Sequence, residues 1–373
     1  MPPFTSAFGA QNIALESILQ SEDHARIGIN GFGRIGRNLL RASLLRDDVS
    51  VVAINHTCSS VEDVIHLLMH DSTHGALDKL MGHKTQIDIL PNGSIAIDGQ
   101  HIALMSERNL EKLDWAKYEV DYVAECTGKF RSTALASKHV TIGGAKKVLI
   151  SAPSPDAPNI VYKVNSDNYL RLCKETIVYS CASCTTNCLA PIAKVLQHSF
   201  GIQHAFMTTV HASTQSQHVL DGYSTKDRRS GRSIMGNIIP TTTGAAKAIK
   251  TVLPELAGKV SGISVRVPTA NVSMVDLTVE TIQSTSLEEI MIKFRTSAQQ
   301  ELSGVLQVED EELVSSDFLG NSCSAIIDSK ASVELKPNAS NLHTPNKNFS
   351  LTSSSFSRSL HGTIMNGLTA VGF

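Results

Sequence analysis

No apolar stretch of this chain reaches the roughly 18 residues that a membrane span requires, so no membrane partner is expected. Charge of one sign is also missing: the formal net charge is -2 over 373 residues, with both signs interspersed. That balance supplies no broad basic field for nucleic acid or an acidic lipid surface. The chain has no even cysteine set either. Its seven cysteines (Cys58, Cys126, Cys173, Cys181, Cys184, Cys188 and Cys323) are an odd number in a long chain, which argues against a secreted disulfide framework and for a reducing compartment. A cytoplasmic location is expected. Residues 1–24 hold Glu16, Glu22 and Asp23 but no arginine, a poor signal or transit peptide, and they read as a weakly structured extension. No internal repeat or low-complexity tract precedes Asn338. What is present, 42% hydrophobic and 18% charged residues, suffices for about two globular cores.

The segment Ala182-Ser183-Cys184-Thr185-Thr186-Asn187-Cys188 sets a cysteine among small hydroxyl residues where an apolar helix over 189–196 begins. Free amides in a first helical turn carry partial positive charge and lower a thiol's pKa, which is how a thiolate nucleophile is made. A buried structural cysteine is the bland alternative. His211, closing the β-branched run Thr208-Thr209-Val210, supplies a candidate base. Cys/His partners that meet in space are normally distant in sequence.

Residues 26–37 read as strand, glycine turn and helix. In Asn30-Gly31-Phe32-Gly33-Arg34-Ile35-Gly36, Gly31 permits a tight turn, Gly33 lets backbone amides approach a pyrophosphate, and Gly36 allows close packing of helix on strand. The helix is expected over 38–45 and a second strand over 49–54. Where a carboxylate would meet the adenosine ribose about 20 residues later, the chain has Asn55-His56. His56 then reads either as a cofactor neighbour or as an exposed loop residue.

Residues 120–128 and 147–153 read as buried strands ending in polar turns, which predicts an α/β first half with a parallel sheet. Beyond Cys184, the longer β-branched segments 205–210, 260–267 and 271–279, with helical spacing over 286–303, predict an α+β domain with a mostly antiparallel sheet. The expected organisation is an extension (1–24), a Rossmann dinucleotide-binding domain (25–183), a catalytic domain (184–338) and an anomalous tail (339–373).

These segments, with His70-Asp71-Ser72-Thr73-His74-Gly75, Glu125 to Gly128, Asn237-Ile238-Ile239-Pro240, Thr243-Gly244-Ala245-Ala246-Lys247, Arg266-Val267-Pro268-Thr269 and Ser315-Ser316-Asp317-Phe318, resemble glyceraldehyde-3-phosphate dehydrogenases in order and spacing. The resemblance implies phosphorylating oxidation of glyceraldehyde 3-phosphate with NAD and inorganic phosphate, in glycolysis and gluconeogenesis. Cys184 would form a thioester and His211 would move the proton. By the same resemblance Ser183, Thr185, Thr243 and Gly244 belong to the attacking phosphate, Thr214 and Arg266 to the substrate's own phosphate, and Arg232, ahead of Arg229, to an anion-binding loop. Arg108, Thr127 and Gly128 lie along the dinucleotide, and a homotetramer is implied, with residues 220–232 reaching a neighbouring subunit.

Three departures stand out. His56 replaces the family's usual aspartate, yet residues 57–60 offer no arginine for a 2′-phosphate and Glu62-Asp63 would repel one, so NAD is expected. Cys181 replaces the usual asparagine and creates a C-x-x-C spacing, but no second pair completes a tetrahedral set, so no metal is expected. Finally, the family's strand bearing Trp-Tyr-Asp-Asn-Glu and its closing helix are not legible after Asn338. Written as codons, residues 361–367 can be read in the next frame as Trp-Tyr-Asp-Asn-Glu-Trp, with the glutamate forced by Met365-Asn366. The expectation is a family C-terminus read in the wrong frame from about Ala339, leaving apolar core surface uncovered. Alternative readings are a catalytically impaired member kept for binding or regulation, or a dehydrogenase of erythrose 4-phosphate or another phosphorylated aldehyde.

Overall fold

The computed structural model describes residues 24–167, 176–335 and 348–355. Residues 1–23 and 356–373, which carry most of the expected extension and the alternate-frame motif, lie outside the described residues. Among the described residues no helix is long and apolar enough to cross a membrane.

The first sheet comprises β1 (Ala25–Asn30), β2 (Val49–Asn55), β3 (Ile87–Ile89), β4 (Ile95–Ile97), β5 (Gln100–Met105), β6 (Tyr122–Glu125), β7 (Lys147–Ile150) and β8 (Val178–Ser180). Their order is β3-β4-β5-β2-β1-β6-β7-β8, and the run from β5 to β8 is parallel. Both faces are covered, which is why these strands read as near-continuous apolar runs. Val123, Val148 and Ile150 join a cluster around Trp115, while Ala124 and Leu149 face a second one with Ile27, Ile29, Leu39 and Leu40. The helix after the glycine turn runs Arg34–Ser43, four residues earlier than its hydrophobic spacing announces, because the glycine turn feeds straight into it.

The second sheet comprises β9 (Ile202–His211), β10 (Ile239–Thr241), β11 (Val260–Arg266), β12 (Ser273–Thr281), β13 (Leu306–Glu309), β14 (Ala325–Leu335) and β15 (Asn348–Ser355), ordered β10-β11-β9-β12-β15-β14-β13. Four of its six neighbour pairs are antiparallel. Helices Cys184–Phe200, Ala245–Val252 and Leu287–Gln299 share the large apolar cluster on one face. Ser286 and Glu289 form a reciprocal cap that starts the last of them.

β15 corrects the reading of the tail. No strand is legible there by family motif, yet residues 348–355 lie between β12 and β14, paired antiparallel to both. Phe349 and Leu351 are buried in the same cluster as the β12 residues Val275, Leu277 and Val279, with Ser350 and Thr352 between them. Period-two alternation, not the family's residues, fills the slot. The core surface expected to be bare at this place is therefore covered.

The two units touch at a polar seam. Arg34 Nη1 donates to the Ala270 carbonyl at 3.1 Å, and Asn271 Nδ2 lies 3.2 Å from His74 Nε2. The other ring nitrogen of His74 meets Asp71 at 3.0 Å. Burial alone would raise the Asp71 carboxyl, but the amides of His74 and Thr73 and the His74 ring bring it down to about 2.

Candidate active site

Ser183 caps the long helix: its hydroxyl accepts from the Thr186 amide at 3.0 Å, leaving Cys184 as the first helical residue. The turn before it is held tightly. Ala182 sits at φ 58°, a conformation costly for any residue with a Cβ. Its amide donates to Ser180 Oγ at 3.0 Å, and Asn187 Nδ2 donates to the carbonyls of Cys181 and Ser183 at 2.7 and 2.9 Å. Sγ of Cys184 is thereby presented at the end of the first sheet, against the second.

β9 and β11 run parallel, with His211 and Arg266 in register at their ends. This places His211 Nε2 3.5 Å from Cys184 Sγ and Arg266 Nη1 2.6 Å from His211 Nδ1. Nδ1 thus lies between a group that only donates, Arg266 Nη1, and one that only accepts, the Ala212 carbonyl, so either ring tautomer finds a partner there and Nε2 can face the sulfur as donor or acceptor. The Ala212 carbonyl also accepts from Arg266 Nη1, at 2.9 Å, and lies 2.8 Å from Nδ1. Burial by itself pushes the Cys184 thiol up. The hydrogen bond with His211, the electrostatic influence of His211 and Arg266, and the Thr185 amide outweigh it, and the thiol lies below its ordinary value. Burial draws the Arg266 guanidinium down, against the opposing pull of Cys184. Thr185 is buried beside the thiol.

The remaining anion-site candidates are less concentrated. Thr243 Oγ1 accepts from the Ala245 amide at 3.2 Å and Gly244 caps helix Ala245–Val252. Thr214 is exposed, its hydroxyl 2.9 Å from Gln217 Oε1 and 3.0 Å from Ser216 Oγ. Arg232 is not drawn to the thiol. It is exposed and paired with Asp221 at 3.0 Å.

The glycine turn fits a dinucleotide. Gly31 adopts φ +100°, and a Cβ there would meet the Thr127 amide at 2.9 Å, while one on Gly36 would strike the Gly31 carbonyl at 2.1 Å. A Cβ on Gly33 would meet nothing within 4 Å. Gly33 also caps helix Arg34–Ser43 without a side-chain partner, so the space over that helix end is open to a diphosphate. Phe32 and Ile35 pack into the apolar cluster below, and Gly128 turns at φ +70°. Arg108 is exposed.

Two residues differ from their sequence reading. His56 is buried, not an exposed loop residue: its Nδ1 accepts from the Cys58 amide at 3.1 Å, and burial pushes its pKa down. Asn30 is buried as well, its side chain taken up by Glu125 and Asn55. Asn55 and Glu125 are not singled out by sequence reasoning. The available signal was a polar residue at the last position of each of three adjacent apolar strands.

Two family models match the chain, one within the first sheet and one over the second, with residues 134–182 between them. "Glyceraldehyde 3-phosphate dehydrogenase, NAD binding domain" matches residues 25–133, and "Glyceraldehyde 3-phosphate dehydrogenase, C-terminal domain" matches residues 183–345. A glyceraldehyde-3-phosphate dehydrogenase of Ogataea parapolymorpha is 46% identical over 313 residues, 84% of this chain and 90% of that protein. This chain belongs to the glyceraldehyde-3-phosphate dehydrogenase family. The enzyme of the same name from Wickerhamomyces ciferrii is 45% identical over 83% of this chain and 90% of its own length. A chloroplastic glyceraldehyde-3-phosphate dehydrogenase of Arabidopsis thaliana is 44% identical over 85% of this chain and 73% of its own length. NAD is the cofactor that the matched first domain is built to bind.

Proposed function

We propose that this chain catalyses the phosphorylating oxidation of D-glyceraldehyde 3-phosphate, with Cys184 as nucleophile and His211 as proton carrier. The observation that carries the reading is a depressed thiol 3.5 Å from a histidine whose far nitrogen is held by an arginine. The Cys184 thiolate attacks the aldehyde carbon, forming the C–S bond, and the new oxygen is met by His211 Nε2–H. Throughout, the Ala212 carbonyl holds Nδ1–H: Nε2 takes the proton of the Cys184 thiol, passes it to the new oxygen as the carbonyl π bond breaks, and accepts that hydroxyl proton back as the hydride leaves. Bound NAD would supply the hydride acceptor. The thioester left on Cys184 is then attacked by inorganic phosphate, which breaks the C–S bond, returns the thiolate and releases the acyl phosphate. Ser183, Thr185, Thr214, Thr243, Gly244 and Arg232 are our candidates for the two anion sites.

Residues 25–183 and 184–338 are our proposed cofactor and catalytic units, with 348–355 completing the second. A homotetramer is supported by the exposure of Leu220 and Tyr223, at 79% and 87%, in the loop that would reach a neighbour. A cytoplasmic location is supported by the described cysteines, which carry no disulfide.

The test follows NADH absorbance with the full chain, glyceraldehyde 3-phosphate and NAD, with and without phosphate. Sustained turnover with phosphate, and a burst near one equivalent per subunit without it, is expected. Undiminished turnover without phosphate would contradict the phosphorylating step, and faster turnover of erythrose 4-phosphate would reassign the substrate. A parallel chain with the alternate-frame C-terminus tests the frame reading: equal activity and stability of the two would remove the reason for it.

A further inference from the structure

A buried polar chain runs beneath the loops that flank the glycine turn. Asn55 exchanges two hydrogen bonds with the backbone of Glu107, Nδ2 donating to its carbonyl at 2.8 Å and Oδ1 accepting from its amide at 2.9 Å. Asn55 Nδ2 also donates to Asn30 Oδ1 at 2.7 Å, and Asn30 Nδ2 donates to Glu125 Oε2 at 2.6 Å. The same oxygen meets His139 Nε2 at 3.1 Å. Trp115 Nε1 donates to His139 Nδ1 at 2.9 Å. An indole N–H only donates, so His139 carries its proton on Nε2, aimed at Glu125. The other carboxylate oxygen accepts from the Thr127 amide at 2.8 Å and from the Thr127 hydroxyl.

Glu125 thus receives four donors on two oxygens, and Glu125, His139 and Trp115 are fully buried. Such a group is costly unless every contact is kept. The chain crosses the carboxyl ends of β5, β2, β1 and β6, which are consecutive in the sheet. Gly31, His56, Arg108 and Thr127 each follow one of its members by one or two positions.

Resting on the NAD-binding reading of those loops, we propose that Glu125 is a positioning residue for the cofactor. It ties the glycine turn, through Asn30, to the Thr127 loop, and His139, oriented by Trp115, holds its carboxylate in place. The Thr127 amide against which Gly31 packs is held in place by Glu125 Oε1. Removing the carboxylate releases both sides of the cleft at once without touching Cys184 or His211.

The experiment measures NAD binding to the full chain by calorimetry, beside steady-state kinetics and thermal unfolding. Glu125→Gln keeps the shape but turns an N–H toward two donors. NAD affinity is expected to fall about ten-fold or more, with KM for NAD rising in parallel. The value of kcat at saturating NAD, and KM for the aldehyde, are expected to stay within about three-fold. Should that variant not fold, the His139 pair decides. His139→Phe removes a donor and is expected to weaken NAD several-fold, whereas His139→Gln can donate to Glu125, accept from Trp115, and restore it. Unchanged NAD affinity in Glu125→Gln, or a loss shared equally by NAD affinity, kcat and aldehyde KM, would overturn the proposal. Equal loss in both His139 variants would do the same. Absence of aldehyde oxidation with NAD binding still dependent on Glu125 would count against the proposed reaction and leave this inference standing.

Discussion

Cys181 and Cys184 stand three residues apart on either side of one turn, and their chemistry is opposite. Cys181 follows β8 and is buried in the apolar cluster of the first unit, where burial, reinforced by Cys126, pushes its thiol well above the ordinary range. Cys126, beside Glu125, is pushed up to about 12 by burial and that neighbouring carboxylate. Cys184 is half-buried, and although its surroundings also resist ionisation its thiol moves down, because the second unit brings His211 and Arg266 to it. Burial alone makes a thiol inert. A half-buried thiol with a histidine and a cation at hand makes a nucleophile.

The comparison breaks most completely by removing its reactive member. Cys184→Ser is expected to lower kcat by about 10⁴-fold or more, and iodoacetamide labelling near neutral pH should disappear from the tryptic peptide over 175–194, even though Cys181 and Cys188 remain on it. Labelling that persists in this variant would mean Cys181 is not inert. His211→Asn removes the first stabiliser of the thiolate: kcat should fall about 10²–10⁴-fold. A depressed thiol reacts at pH values below the ordinary thiol range, so the pH profile of alkylation should move upward in this variant. An unmoved profile would transfer the depression to the helix end.

Arg266→Gln sharpens the comparison more gently. KM for the phosphorylated aldehyde should rise about 10–100-fold, while the alkylation profile shifts upward by less than in His211→Asn. A larger shift than in His211→Asn would make the cation the chief cause. The smallest effect is expected from Cys181→Ser, which should leave kcat within about three-fold and cost roughly 1–3 kcal/mol of stability from an added buried hydroxyl, read by denaturant unfolding.

Much of this was open to reading because local chemistry and tertiary structure agree. The apolar strands of the first sheet, the glycine turn and the long β-branched strands of the second announce their own periods. Cys184 is legible from its small hydroxyl neighbours and the helix start beside them. His211 and Arg266 meet only because β9 and β11 align in register, a fact no local pattern carries. Sequence leaves His56 open as an exposed residue, because burial of a strand end is set by the Met105 and Cys58 backbone around it. Arg232 found Asp221, and a loop arginine does not reveal its partner in sequence. β15 is not legible in sequence because its serines suggest a linker, while its fitness lies in two apolar residues, Phe349 and Leu351, spaced by one.

That last strand also shapes how the chain is made. β12 and β14 become neighbours only through β15, which leaves the ribosome after every other strand of either sheet. Until residues 348–355 emerge, a growing chain carries two half-sheets whose facing edges are bare, and bare edges pair with whatever strand is near. The first sheet, whose final strand ends at Ser180, suffers no such delay. A nascent chain stalled between residues 335 and 348 would therefore hold a finished nucleotide fold joined to an open one, and this is the stage at which a chaperone has most to protect.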